Sequence, residues 1–384
     1  NPLLEIRGLC KNFPGVRALS QVDFNLRAGE VHALMGENGA GKSTLIKTLT
    51  GVHARDGGEI RLDGETIAPR SPQDAESLGI KTVYQEVNLI PHLSVAENIT
   101  IGRQPKWLGA ISWPGVRRDA KRALDRIGLN LDLDRELCSY SVAIQQMVAI
   151  ARAVSEDAKI LILDEPTSSL DENEVDELFT IIENLRDNGL GVVFVTHFLD
   201  QVYRISDRIT VLRGGELVGE FPTAQLPRLE LIGKMLGKSV AEIEALTETK
   251  AKGESLLSAK AFGRRGAVEP FDLNIDQGNV LGLAGLLGSG RTEVARLLFG
   301  LDKATSGKLV VAGKATKHWG PRKAIDAGIA FCPEDRKVDG VIGQLSVREN
   351  IVLAMQASRS VLKTLPLAKQ VAIADHYIDR LNIR

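Results

Sequence analysis

Cysteine is scarce in this chain. Cys10, Cys138 and Cys332 are the three among 384 residues, far apart and without metal-ligand spacing. Neither a disulfide framework nor a zinc site is supported, and a reducing, cytoplasmic setting fits. Long apolar runs are missing too. The longest, around Ile160–Leu163, Leu190–Val195 and Val280–Leu287, fall well short of the ~20 residues that cross a bilayer. No stretch has the pattern of a signal peptide, so work at a membrane would go through a partner. Charge of one sign is not in excess either. Lys+Arg number 48 against 49 Asp+Glu, a net charge of −1, which removes the basic footprint of a dedicated nucleic-acid binder. Arg117-Arg118 and Arg264-Arg265 read as solvated surface. The length suggests two or more domains, each able to bury its own core.

What is present is a phosphate-cradling loop. Gly36-Glu37-Asn38-Gly39-Ala40-Gly41-Lys42-Ser43 fits G-x-x-x-x-G-K-[ST] at every fixed position, and Thr44 follows it. Apolar Val31 to Met35 reads as a buried strand ahead of it, and Leu45, Ile46 and Leu49 fit one helical face ending at Gly51. The glycines let backbone N–H groups converge on phosphate oxygens, and the helix N-terminus adds positive potential. Lys42 would reach the β- and γ-phosphates of a nucleoside triphosphate, and the Ser43 hydroxyl would ligate Mg²⁺. A second apolar run, Ile160–Leu163, delivers Asp164 and Glu165 at its exposed end. Asp164 would hold Mg²⁺ directly or through water, while Glu165 would orient and deprotonate the attacking water.

The chain also repeats itself. Gly36 stands opposite Gly285, 249 residues on, and Gly29 to Gly36 faces Gly278 to Gly285. Both copies continue into a glycine loop, a helix and a closing Gly51 or Gly300. Gly57-Gly58-Glu59-Ile60 corresponds to Ser306-Gly307-Lys308-Leu309, and Ser94–Ile99 to Ser346–Ile351. Two tandem modules are expected, 1–240 and 255–384, with a polar linker at 241–254. Counterparts of Ser141 and Asp164 would fall beyond Arg384, so the second module reads as truncated.

With Pro166-Thr167-Ser168-Ser169-Leu170-Asp171 following the acidic strand end, the order of motifs resembles the ABC ATPase family. The resemblance implies an α/β P-loop NTPase fold, tandemly repeated: mostly parallel strands carrying the phosphate loop, an antiparallel β subdomain near the N-terminus, and a helical subdomain between roughly Asn88 and Asp157. Ser169 and Asp171 would be D-loop residues, and Asp171 with Glu174 also reads as a helix cap with a capping box. His197, at the end of the apolar run Leu190–Thr196, would be the switch histidine that contacts the γ-phosphate. Gln85 would be the Q-loop glutamine, touching Mg²⁺ or the attacking water. Phe13 would stack on adenine, with a plain core phenylalanine as the alternative reading.

Two segments depart from the family's pattern. Tyr140-Ser141-Val142-Ala143-Ile144-Gln145-Gln146 stands where L-S-G-G-Q is usual, keeping the serine and losing both glycines. In the family this segment completes the nucleotide site of the opposite module, and the bulk at Val142 and Ala143 should hinder that approach. The second loop, Gly285 to Thr292 with Gly288 and Gly290, puts Arg291 where lysine is expected, and arginine is not an equivalent phosphate ligand. Both departures belong to one composite site, so asymmetric sites are expected, one competent and one degenerate.

Gly288-Ser289-Gly290-Arg291-Thr292-Glu293 and Pro333-Glu334-Asp335-Arg336-Lys337 resemble the ATP-binding subunits of bacterial monosaccharide importers. Tyr140–Gln146 and Thr196–Tyr203 look closest to the galactofuranose type. The resemblance implies an ATPase coupled to transport at the cytoplasmic face of the membrane. Its partners would be transmembrane permease subunits and, indirectly, a soluble sugar-binding protein, with no nucleic acid, and the two modules would form a pseudo-dimer. The alternative is a soluble tandem ATPase acting on ribosomes, which two intact sites and a long basic linker would favour.

Overall fold

The computed structural model describes residues 2–84, 89–154, 158–168, 170–242, 253–285, 288–333, 338–357, 359, 364–381 and 383. They fall into two compact units, Asn1–Glu248 and Thr249–Arg384. Gln85, Ser169 and the middle of the expected linker lie outside the described residues.

In the first unit the sheets separate by the company their side chains keep. Strands β1 (Leu4–Phe13), β2 (Val16–Leu26), β4 (Gly57–Leu62) and β5 (Glu65–Thr66) form an antiparallel sheet in the order β2-β1-β4-β5. The second sheet has six strands. They are β3 (Val31–Met35), β6 (Ile80–Val83), β9 (Ile160–Asp164), β10 (Gly191–Val195), β11 (Arg208–Arg213) and β12 (Glu216–Pro222), in the order β12-β11-β3-β10-β9-β6. All are parallel except β12, which pairs antiparallel with β11 at the edge. Strands buried on both faces need apolar residues at every position, and β3 and β10 are buried throughout.

The pleat nevertheless sorts them. Ile160, Ile162, Val193 and Val195 face a core shared with the antiparallel sheet (Leu4, Leu19, Phe24) and with helix α1 (Lys42–Leu49). Leu161, Leu163, Val192 and Phe194 face the other way. There they meet Leu178, Phe179 and Ile182 of α6 (Glu172–Asp187). That same core takes in α3 (Val95–Thr100), α4 (Trp113–Arg126) and α5 (Val142–Ala153). These three helices are the helical insertion that the family resemblance implies.

The second unit repeats the local devices of the first. Strands β13 (Ser255–Arg264), β14 (Val268–Asp276), β15 (Ser306–Val311) and β16 (Lys314–Ala315) take the order β14-β13-β15-β16, matching the first antiparallel sheet. Asn98 holds Ile90 through its side chain, accepting from Ile90 N at 2.8 Å and donating to Ile90 O at 3.0 Å. Asn350 does the same to Ile342, at 2.9 and 3.1 Å. One part does not repeat. Residues 279–285 form no strand and are exposed, Val280 fully so, whereas their counterpart β3 is buried between β10 and β11. Among the described residues this run pairs with no strand.

Candidate functional site

Three adjacent parallel strands, β3, β10 and β9, end side by side. In open α/β sheets ligands bind outside the carboxyl ends of such strands. The phosphate loop leaves β3, His197 follows β10, and Asp164 and Glu165 close β9, with Asp164 in register with Val195. The pairing carries one step further, because Glu165 N donates to Val195 O at 2.8 Å.

The loop's shape depends on glycine. At Gly36, where φ is +151°, a Cβ would stand 2.3 Å from the carbonyl oxygen of Leu212 on β11. Gly41 caps α1 at φ +106°, and there a Cβ would meet Ala18 O and Leu19 Cδ2, each at 2.9 Å. A side chain at either position would collide with neighbouring chain, so glycine lets the loop turn tightly there and present its backbone N–H groups. Glu37, Asn38 and Gly39 are exposed at its rim, and Ala40 is buried beneath. Lys42 reaches back across the loop, its Nζ donating to Gly36 O at 2.7 Å and Glu37 O at 3.0 Å. Burial pulls the Lys42 ammonium below its usual range, while the carboxylates of Glu165 and Asp164 push it back up. Ser43 is exposed at the first turn of α1, with half-buried Thr44 beside it.

The two carboxylates are unlike. Burial, then the neighbouring charge of Glu165, raises the Asp164 carboxyl above its ordinary value, against the pull of Lys42 and Lys47. Glu165 sits in left-handed backbone at φ +49°, a conformation that costs a non-glycine residue about 1–2 kcal/mol. Strain of this kind persists where the surroundings hold it and clusters at functional positions. Its Oε1 lies 3.4 Å from His197 Nδ1. The His197 ring packs on Phe198, centroids 4.1 Å apart. Hard oxygen donors at Ser43 and Asp164 beside a glycine loop that also carries the Lys42 ammonium fit a magnesium–triphosphate pair.

A second layer, without a signal of its own in the sequence, joins the acidic strand end to the histidine loop. Gln201, on α7 (Leu199–Ile205), accepts from the buried hydroxyls of Thr167 at 2.6 Å and Thr196 at 3.3 Å through one oxygen. Thr196 Oγ1 in turn accepts from Phe198 N at 3.1 Å.

The remaining candidates lie elsewhere. Phe13 ends β1, 37% exposed, edge-on to His53 at 5.1 Å and with Lys11 Nζ 5.4 Å from its ring. Ser141 caps α5, accepting from Ile144 N at 3.4 Å. Val142 is exposed at the helix start, Ala143 is buried in the core, and Gln145 donates back to Tyr140 O at 3.0 Å. Asp171 and Glu174 form a reciprocal capping box on α6. In the second unit, Gly288 and Gly290 keep left-handed φ of +78° and +89° ahead of the helix Arg291–Phe299, which Thr292 continues. At Gly285 a Cβ would meet Ser289 Oγ at 2.3 Å.

Known proteins share this plan. The ABC transporter family pattern matches residues 19–168 and 268–383. The chain is 50% identical over 384 residues to the galactofuranose transporter ATP-binding protein YtfR of Escherichia coli (strain K12), aligning along its full length with 77% of that protein. It is 48% identical over 391 positions to the fructose import ATP-binding protein FruK of Bifidobacterium longum (strain NCC 2705), spanning 76% of it. The solved structure of cbiO1 from Clostridium perfringens, part of an ABC transporter complex, aligns at TM-score 0.53 and 25% identity, over 65% of this chain and 100% of that one.

Proposed function

The chain belongs to the ABC transporter family, and from that premise we propose that it binds and hydrolyses ATP to drive import of a monosaccharide. The observation that carries the reading is the convergence of Lys42, Asp164, Glu165 and His197 on three neighbouring strand ends. Its relatives serve galactofuranose, fructose and ribose transport, which supports a monosaccharide cargo with galactofuranose as the leading one. A membrane permease at the cytoplasmic face and a sugar-binding protein would complete the machine.

In this reading the triphosphate lies along the loop, with Phe13 stacked on the base. Lys42 exchanges the carbonyls of Gly36 and Glu37 for oxygens of the β- and γ-phosphates. Ser43 and Asp164 would hold Mg²⁺, which would supply positive charge against the phosphates. Glu165 takes a proton from the water that attacks the γ-phosphorus; the new P–O bond forms as the bond to the β-phosphate oxygen breaks, releasing ADP and phosphate. His197, held beside Glu165, contacts the γ-phosphate. The modules are read as 1–240 and 255–384, joined through 241–254. We place competent chemistry at the loop of Lys42 and assign the loop of Arg291 to a slow or silent role.

The test is ATP hydrolysis and sugar uptake by the protein with its permease in vesicles. Lys42→Ala should abolish both, and Arg291→Ala should leave most of the activity. Equal losses would remove the asymmetry, and full activity in Lys42→Ala would remove the reading.

A further inference from the structure

We infer that His92, Glu136 and Cys138 form a binding site for a zinc-type transition-metal ion on the helical part of the first unit. The donors come from two segments 44 residues apart, which the backbone fastens together. Cys138 N donates to Pro91 O at 2.9 Å, Leu137 N to Leu93 O at 3.0 Å, and Val95 N to Arg135 O at 3.1 Å. Ser94 and Glu136 form a β-bridge, and Leu137 between the two donors is fully buried. The donors are therefore held by the fold, while all three side chains stand in solvent where an ion can reach them.

Their spacing suits tetrahedral coordination. Bonds of about 2.0 Å from zinc to nitrogen or oxygen and about 2.3 Å to sulfur put tetrahedral edges near 3.3 Å for N to O and near 3.5 Å for S to O. Glu136 Oε2 lies 3.8 Å from His92 Nδ1 and 3.5 Å from Cys138 Sγ. All three donors lie within 4.8 Å of one another, so on binding the two edges to the His92 nitrogen would shorten, a movement open to an exposed imidazole. One nitrogen, one carboxylate oxygen and one thiolate select zinc-like ions over magnesium or calcium. Three protein ligands leave a position for water, which makes the site exchangeable. An ion there would tie the turn before α3 to the segment running through Cys138 into Ser141 at the start of α5. This inference rests on the donor geometry and stands apart from the transport reading.

The experiment titrates the chelator-treated chain with Co²⁺ and follows the thiolate-to-cobalt charge-transfer absorption, which a cobalt ion at the phosphate loop, lacking sulfur, does not give. The native chain and Cys332→Ser should develop the band and lose it on adding Zn²⁺. Cys138→Ser should lack it, and His92→Ala should bind Zn²⁺ at least about tenfold more weakly. Circular dichroism should stay unchanged, because the replaced side chains are exposed. Absence of the band in the native chain, its persistence in Cys138→Ser, or native Zn²⁺ affinity in His92→Ala would each overturn the site.

Discussion

Replacing Glu165 by glutamine separates chemistry from binding at the phosphate loop. The substitution keeps size and the left-handed backbone but removes the proton acceptor and one negative charge. A general base contributes about 10²–10⁴ in rate, equivalent to about 3–5 kcal/mol of transition-state free energy. The contacts place most of the loss in that step. Glu165 touches His197 at 3.4 Å, whereas Lys42 keeps its bonds to the carbonyls of Gly36 and Glu37 and, of the two carboxylates that support its charge, keeps Asp164. Asp164 loses the like charge that helps raise its carboxyl, so its ionised form becomes easier to reach and its hold on a cation is not weakened. Nucleotide affinity should therefore change by less than about tenfold, or about 1.4 kcal/mol. Single-turnover hydrolysis measured beside equilibrium binding of a fluorescent ATP analogue reads the two quantities apart. A native hydrolysis rate in Glu165→Gln refutes the role of base, and a loss carried equally by affinity refutes the separation.

Other changes have directions set by the same contacts. Asp164 has its carboxyl raised in the fold, chiefly by burial. Between its unfolded and folded values only the native state keeps the proton, so the residue costs stability as pH rises through that window. Asp164→Asn should raise the melting temperature at neutral pH in nucleotide-free buffer, and a fall would contradict this. His32 is fully buried against Thr210, and its imidazole is lowered to about 3 by burial and by Arg208. The unfolded chain takes up this proton first, so stability should fall below pH 6.5, by up to about 1.4 kcal/mol per pH unit. A denaturation series in which His32→Gln keeps the native slope would refute that. Gln201→Leu strands the buried Thr167 hydroxyl, costing about 1–3 kcal/mol, and should lower kcat more than it raises KM. Gln201→Glu keeps the acceptor and should recover stability; identical melting of the leucine variant would show that the bridge does not matter.

What could be read in advance follows from the range of each interaction. The phosphate loop, the apolar strands before it and before Asp164, and the capping box at Asp171 are written in runs of a few residues, and the fold realises them where their spacing places them. Contacts between distant segments leave no such trace. Nothing in the spacing of three cysteines points to Cys138 meeting His92 and Glu136, nor does Gln201 announce that it bridges two threonines on separate loops. The strain at Glu165 is equally silent, since it arises from where β9 meets β10. The internal repeat makes the same division within one molecule. Asn98 and Asn350 grip their loops alike because each network closes within eight residues. β3 is the opposite case, because a central strand exists only when its ladder partners are beside it. For β3 those partners begin 160 residues after it starts, at Gly191. Phosphate-loop geometry is therefore local, while its chemistry is not: the Lys42 ammonium comes under the charges of Asp164 and Glu165 only once β9 pairs with β10 and β10 with β3.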